Sequence, residues 1–316
     1  MTRRWGRAGA LAVALALLAG CSSSSSEPGD EAPEAGAERT ARPGATGTPD
    51  ASGTADTPSA SPGSPSASPG APSASPGTPS GAPARWRPRP GTRWQWQLDG
   101  TVDTSVDVPV YDIDGFENSA DTVAELHARG RKVICYVNAG AWEDFRPDQA
   151  KFPSALRGRK NKGWNGEKWL DIRRLDVLRP LMAGRMEMCR QKGFDAVEPD
   201  LTEGFRNDTG FPLTAGHQLA FNRMLVELAH ERGLAIGLKN DLDQIPELVR
   251  DFDFAVNEQC AQYKECEKLA PFVQGDKAVF HVEYDLEPGA FCGTAKRLGL
   301  SSMQKKLDLD AWRRPC

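Results

Sequence analysis

Three times in this chain a stretch with helical periodicity ends on a glycine, and an apolar run follows at once. Asp121–Arg129 ends at Gly130, Leu175–Lys192 at Gly193 and Thr214–Arg232 at Gly233. A glycine in that place adopts the left-handed conformation that closes a helix at little cost. Helix, glycine, strand, repeated, is the signature of βα units and hence of a parallel sheet. Within the third helix Leu219, Met224, Leu225, Leu228 and Ala229 recur at helical spacing and form a packing stripe. Candidate strands lie at Trp94–Leu98, Pro109–Ile113, Lys132–Asn138, Lys168–Ile172, Asp195–Asp200, Ala235–Lys239, Phe254–Glu258 and Ala278–Tyr284. About eight strands in roughly 230 residues predict an α/β fold of the (β/α)8 TIM-barrel type. No G-x-G-x-x-G follows the first strand, which argues against a dinucleotide-binding doubly wound sheet.

In a barrel the chemistry collects where the strands run out at their C-terminal ends. Two such ends carry Glu198-Pro199-Asp200 and Asn257-Glu258-Gln259. A carboxylate at the end of a buried strand is costly as packing, because an unpaired buried charge must be desolvated. Two of them on separate strands suggest the acid/base pair that cleaves glycosidic bonds. The other strand ends supply Gln97 and Asp99, Asp112 and Asp114, Tyr136 and Asn138, Asp171 and Arg173, Lys239, Asn240 and Asp241, and Glu283, Tyr284 and Asp285. That rim is rich in carboxylates and amides suited to sugar hydroxyls. Trp94, Trp96, Trp142, Trp164 and Trp169 are candidate stacking faces, although core packing is the plainer role for Trp169.

Other chemistries fit less well. Only four histidines occur, with no H-x-H and no H-E-x-x-H, so neither a metal site nor any other cofactor is expected. His127 and His230 fall on helices as surface residues, and His281 lies mid-strand as a core histidine. A G-x-S-x-G elbow is missing, which excludes the common esterase type. The net charge of −4 and the lack of a basic stripe exclude nucleic-acid binding; Arg157–Lys162 reads as a solvated loop.

The composition of the amino-terminal part is of another kind. Arg3, Arg4 and Arg7 precede an apolar run from Ala8 to Gly20, too short to span a bilayer. It ends Leu18-Ala19-Gly20-Cys21, like a bacterial lipobox whose cysteine is acylated. Residues 1–21 therefore read as a lipoprotein signal peptide, with Cys21 as the lipidation site. Residues 22–85 are dominated by Ser, Pro, Gly, Ala and Thr, with a near-repeat of seven (SPGSPSA, SPGAPSA, SPGTPSG). Such a segment cannot bury enough apolar surface to order itself and reads as a disordered linker. Residues 86–316 form the globular domain, expected to be secreted, monomeric and held at the outer face of the bacterial membrane through the lipid.

Apart from Cys21, six cysteines remain: Cys135, Cys189, Cys260, Cys266, Cys292 and Cys316. An even number in an exported domain suggests disulfides, with about 15 pairings possible. Cys260 with Cys266 closes a short loop beside Glu258. Cys292 with Cys316 pins the tail, which leaves Cys135 and Cys189 as a third pair or as free thiols.

In order along the chain stand WQWQLDG, YDID, KVICYVNAGAWEDFRPD, FDAVEPDLTEGF, AIGLKND and FAVNEQCAQYKEC. Taken together these segments resemble glycoside hydrolase family 114, the endo-α-1,4-polygalactosaminidases, over Trp94 to Tyr284. The resemblance implies a (β/α)8 barrel and retaining hydrolysis of α-1,4-linked galactosamine polymers. Its catalytic pair falls on Asp200, as nucleophile, and Glu258, as acid/base. Candidate sugar contacts are Asp112, Asp114, Tyr136, Asn138, Glu198, Lys239, Asn240 and Glu283. Leu201 departs from the pattern, standing where a polar residue such as Asn is expected. The deacetylated polymer is cationic, and an acidic rim would concentrate it. Two other readings remain at this point: a non-catalytic glycan-binding surface lipoprotein, and a glycosidase of the same fold acting on another polysaccharide.

Overall fold

A computed structural model describes residues 85–316; the expected signal peptide, Cys21 and the expected linker up to residue 84 lie outside the described residues. Eight parallel strands curl into a barrel: β1 (Trp94–Gln97), β2 (Val110–Asp114), β3 (Lys132–Asn138), β4 (Ala196–Asp200), β5 (Ala235–Lys239), β6 (Phe254–Glu258), β7 (Val279–Glu283) and β8 (Ser301–Gln304). Each pairs with its successor in sequence, from Trp94 beside Val110 round to Phe280 beside Ser301. The seam between β8 and β1 is bridged by other groups. Trp94 Nε1 donates to Ser301 O (2.8 Å), and the tail closes over it through Leu98 N to Leu309 O (2.9 Å). The buried Lys305 ammonium ties that tail down through the carbonyls of Asp310 and Trp312.

Helices α1 (Ala120–Ala128), α2 (Leu175–Gln191), α3 (Ala215–His230), α4 (Ile245–Leu248), α5 (Ala270–Gln274) and α6 (Pro288–Arg297) lie between strands. Ser119 caps α1 by accepting from Thr122 N, and Thr214 and His217 form a reciprocal capping box on α3. Gly130, Gly193 and Gly233 all have positive φ, as the helix–glycine–strand pattern requires. Two apolar cores result. Trp94, Trp96, Val110, Ile134, Phe254, Val256 and Phe280 fill the barrel, while Tyr111, Val133, Val197, Leu225 and Ile236 face the helices.

One predicted strand is misplaced. Lys168–Ile172 is not a barrel strand: Glu167–Leu170 pairs antiparallel with Ala141–Glu143 and Arg157–Lys160 in a separate three-stranded sheet. The charge run beginning at Arg157 is thus partly strand, and its Arg157 guanidinium stacks on Trp142. The eighth barrel strand is Ser301–Gln304 instead. It follows α6 and Gly299 (φ +73°), a fourth helix–glycine–strand unit hidden by its polar composition.

The two expected disulfides form, Cys260–Cys266 closing the loop after β6 and Cys292–Cys316 fixing the tail to α6, and Cys135 and Cys189 are not free thiols but a third bridge that joins β3 to α2. His281 is a buried core histidine, bonded to Ser302 and Glu283. His127 is exposed as expected and pairs with Asp195 beside the start of β4, while His230 is half-buried against Asp253 beside the start of β6.

Candidate active site

A cleft of about 470 Å³ opens where β4, β5 and β6 end. The first residue past each of these strands, Leu201 (φ +60°), Asn240 (+48°) and Gln259 (+60°), is left-handed without being glycine. Such turns cost of order 1–3 kcal/mol each and cluster at functional sites. The end of β4 is further pinned by Ala139 N and Gly140 N, both donating to Asp200 O at 3.0 Å. No side chain fits at 140, since a Cβ there would lie 1.9 Å from Leu201 O.

Alternation along β4 aims Glu198 and Asp200 the same way, into the barrel. There they meet Lys239 from β5, itself 1% exposed. Its ammonium lies 3.0 Å from Glu198 Oε1, 2.9 Å from Asp200 Oδ1 and 3.3 Å from Glu258 Oε2, and 4.6 Å above the Trp96 ring. Burial opposes that charge, but the three carboxylates outweigh it and hold the lysine well above its usual range. Burial likewise works against ionised Asp200; Lys239, the Tyr136 hydroxyl and the Leu201 amide overcome it and keep the carboxyl below the ordinary aspartate value. Tyr136 donates to Asp200 Oδ2 at 2.8 Å. Burial and then the Asp200 charge raise that phenol well above its ordinary value, so it remains a donor.

Glu258 is oriented from two sides. Tyr284 donates to Oε1, and Asn240 Nδ2 donates to Oε2 at 3.1 Å. Asn240 Oδ1 in turn accepts from Glu258 N (3.0 Å) and Asn257 Nδ2 (3.2 Å). Because one ammonium touches Asp200 Oδ1 and Glu258 Oε2, those oxygens lie at most about 6 Å apart. Retaining glycosidases hold their carboxyls ~5–5.5 Å apart and inverting ones ~6.5–9.5 Å.

Of the expected sugar contacts, Asp114, Tyr136, Lys239 and Asn240 line the cleft together with Asp200 and Glu258. Asp114 is not free there: Arg146 grips it with two hydrogen bonds (3.0 and 2.7 Å). Asp112, Asn138, Glu198 and Glu283 do not line the cleft. Asn138 accepts from Ala141 N and shapes the turn after β3. Glu283 is fully buried and accepts from Ala261 N at 2.7 Å, holding the loop after β6. Asp112 and Glu198 lie inside the barrel beneath the floor. Among the tryptophans Trp96 and Trp164 reach the cleft, while Trp94 and Trp169 are buried.

Several wall residues escape the strand-end rule. Glu143, Arg146 and Glu167 come from the three-stranded sheet and its loop, and Glu203 from the turn after β4. Burial pushes Glu203 up to about 8, helped by the Asp200 charge. Burial also lifts Glu167 to about 7, against an Asn161 hydrogen bond, and Asp241 to about 7, with Asp243 adding to it. Wall carboxyls Glu167, Glu203, Asp241, Glu265 and Asp308 surround only three cleft cations, Arg146, Arg206 and Lys239. Among the described residues, the one cluster with metal-ligand spacing is Cys260, Cys266 and His281, whose sulfurs are joined in a disulfide.

The arrangement is one ionised carboxylate and one oriented carboxyl facing a common space. The model of glycoside-hydrolase family GH114 matches residues 75–316. Among solved structures, Ega3 of Aspergillus fumigatus in complex with galactosamine is 42% identical, covering 74% of this chain and 99% of that one, at a TM-score of 0.71. The glycoside hydrolase domain of PelA from Pseudomonas aeruginosa shares the fold at 12% identity, covering 72% of this chain and 98% of its own, with a TM-score of 0.56. Among curated proteins none matches the chain.

Proposed function

The chain belongs to glycoside-hydrolase family GH114, and we propose that this glycosidase cleaves α-1,4-linked galactosamine-containing polysaccharide with retention, at a cell surface. The observation that carries the mechanism is the shared ammonium of Lys239 between Asp200 and Glu258. One oxygen of each carboxyl sits on the same ammonium, at most about 6 Å from the other, which favours the short spacing of a retaining pair (~5–5.5 Å) over the wider inverting one.

Asp200, kept ionised by Lys239 and Tyr136, attacks the anomeric carbon. Glu258 protonates the leaving oxygen, then deprotonates the water that releases the glycosyl-enzyme. Tyr136 and Tyr284 hold the two carboxyls in place throughout. The wall carboxyls can accept hydrogen bonds from a polymer bearing free amines, and an ammonium beside Glu167, Glu203 or Asp241 would favour their charged forms. Ega3's complex with galactosamine supports the same sugar here. The Arg-rich leader, Cys21 and the Ser/Pro/Gly-rich segment support a lipid-anchored protein carried outside a bacterial membrane.

The test is release of reducing ends from a partly deacetylated α-1,4-galactosaminogalactan by wild type, Asp200→Asn and Glu258→Gln. The reading requires release by wild type and a loss of at least about 100-fold in each variant. Binding of the polymer without release would mark a glycan-binding protein instead, and activity confined to a different polymer would mark another glycosidase specificity.

A further inference from the structure

Beneath the cleft floor two acids lie together, and three of their four carboxyl oxygens have no donor. Asp112 and Glu198 are both fully buried. Asp112 Oδ1 and Oδ2 and Glu198 Oε2 have no hydrogen-bond partner among the surrounding donors, while Glu198 Oε1 is taken by Lys239 at 3.0 Å. Three orphaned carboxylate oxygens in a dry interior are costly, at roughly 1–3 kcal/mol each and more when charged. The two carboxyls lie within hydrogen-bond reach of each other. A single proton between them therefore satisfies an oxygen on each side and removes one buried charge.

We infer that Asp112 holds this proton and donates it to Glu198 Oε2, so that Glu198 stays charged and fixes Lys239 between Asp200 and Glu258. Lys239 decides which acid is neutral. It touches Glu198 and not Asp112, so the negative charge is best placed on Glu198. The charged groups acting on the pair are Lys239 and Asp200. In register with Asp112, β1 and β3 present Trp96 and Ile134, which carry no charge. Burial and the Glu198 charge raise the Asp112 carboxyl well above its usual range, in keeping with this placement. Asp112 is a positioning residue that never meets the sugar. Its neutral hydroxyl keeps Glu198 aimed, Glu198 keeps Lys239 aimed, and Lys239 keeps Asp200 ionised.

The consequence for catalysis rests on Asp200 and Glu258 being the catalytic pair; the proton itself does not. An amide can replace a protonated acid as donor, whereas a methyl cannot. Asp112→Asn is expected to keep at least about a third of kcat with the wild-type pH profile, and Asp112→Ala to lose about tenfold or more in kcat with KM nearly constant. Asp112→Asn as damaged as Asp112→Ala would show that a charge at 112 is needed and would overturn the inference. Infrared spectra read the proton without any substrate. Wild type minus Asp112→Asn at pH 7 should show the carbonyl stretch of a buried protonated carboxylic acid. Its absence overturns the inference even if the alanine variant does not fold. A wild type that releases no reducing ends, yet shows the band, would refute the hydrolase assignment and leave the proton where it is placed here.

Discussion

Glu203 gives the most quantitative check on the electrostatics of the cleft. Its Oε2 is buried without a hydrogen-bond partner, and burial with the Asp200 charge raises the group from 4.5 to about 8. A carboxyl that binds its proton more tightly when folded contributes stability that is complete below about 4.5 and lost as pH rises towards 8. A tenfold change in proton affinity is worth ~1.36 kcal/mol, so a rise from 4.5 to about 8 would remove about 4–5 kcal/mol by pH 8. Water reaching the partly exposed side chain screens some of this, which leaves ~2–3 kcal/mol. Glu203→Gln keeps the shape of the neutral acid and cannot ionise. Denaturant unfolding should give nearly equal stabilities for both proteins at pH 5. By pH 8 the variant should be more stable by ~2–3 kcal/mol. Parallel stability curves over that range, with a gap below ~0.5 kcal/mol at pH 8, would refute the reasoning.

Two further substitutions probe the scaffold of the site. Lys239→Met leaves Glu198, Asp200 and Glu258 without their common cation; stability should fall by ~3–5 kcal/mol and kcat by at least about 100-fold, read by denaturant unfolding and initial rates. Gly140→Ala puts a methyl 1.9 Å from Leu201 O, directly behind Asp200. We expect ~1–3 kcal/mol of destabilisation and a kcat loss of about tenfold or more, with no rescue by substrate concentration.

Part of this was written plainly in the chain. Gly130, Gly193 and Gly233 announce the βα units because a left-handed residue closes a helix at the point where the next strand begins. Asp200 and Glu258 stand out because a carboxylate ending an apolar strand has few structural uses. Ser301–Gln304 was illegible for the opposite reason. Its Ser, Ser and Gln are buried by the tail closing over the barrel seam, a long-range event that no local pattern records. Lys168–Ile172 misleads because an apolar strand inside a long βα loop looks like one inside the barrel. The same excursion hides Glu143, Arg146 and Glu167, which reach the cleft from an inserted sheet and not from a strand end. Asp112 and Glu198 are read from sequence as rim residues, since a period of two places them on the inward face. Depth along the barrel axis is what separates a floor from a rim, and alternation carries no depth.

The most direct test of the central claim is the anomeric configuration of the first product, followed by proton NMR as wild type cuts an α-1,4-galactosamine oligomer. With one oxygen each of Asp200 and Glu258 on the same ammonium and Asp200 as nucleophile, the account predicts that the new reducing end appears first as the α-anomer and mutarotates afterwards. Initial release of the β-anomer would contradict the account, because it would require a water between two carboxyls that the structure holds on one lysine.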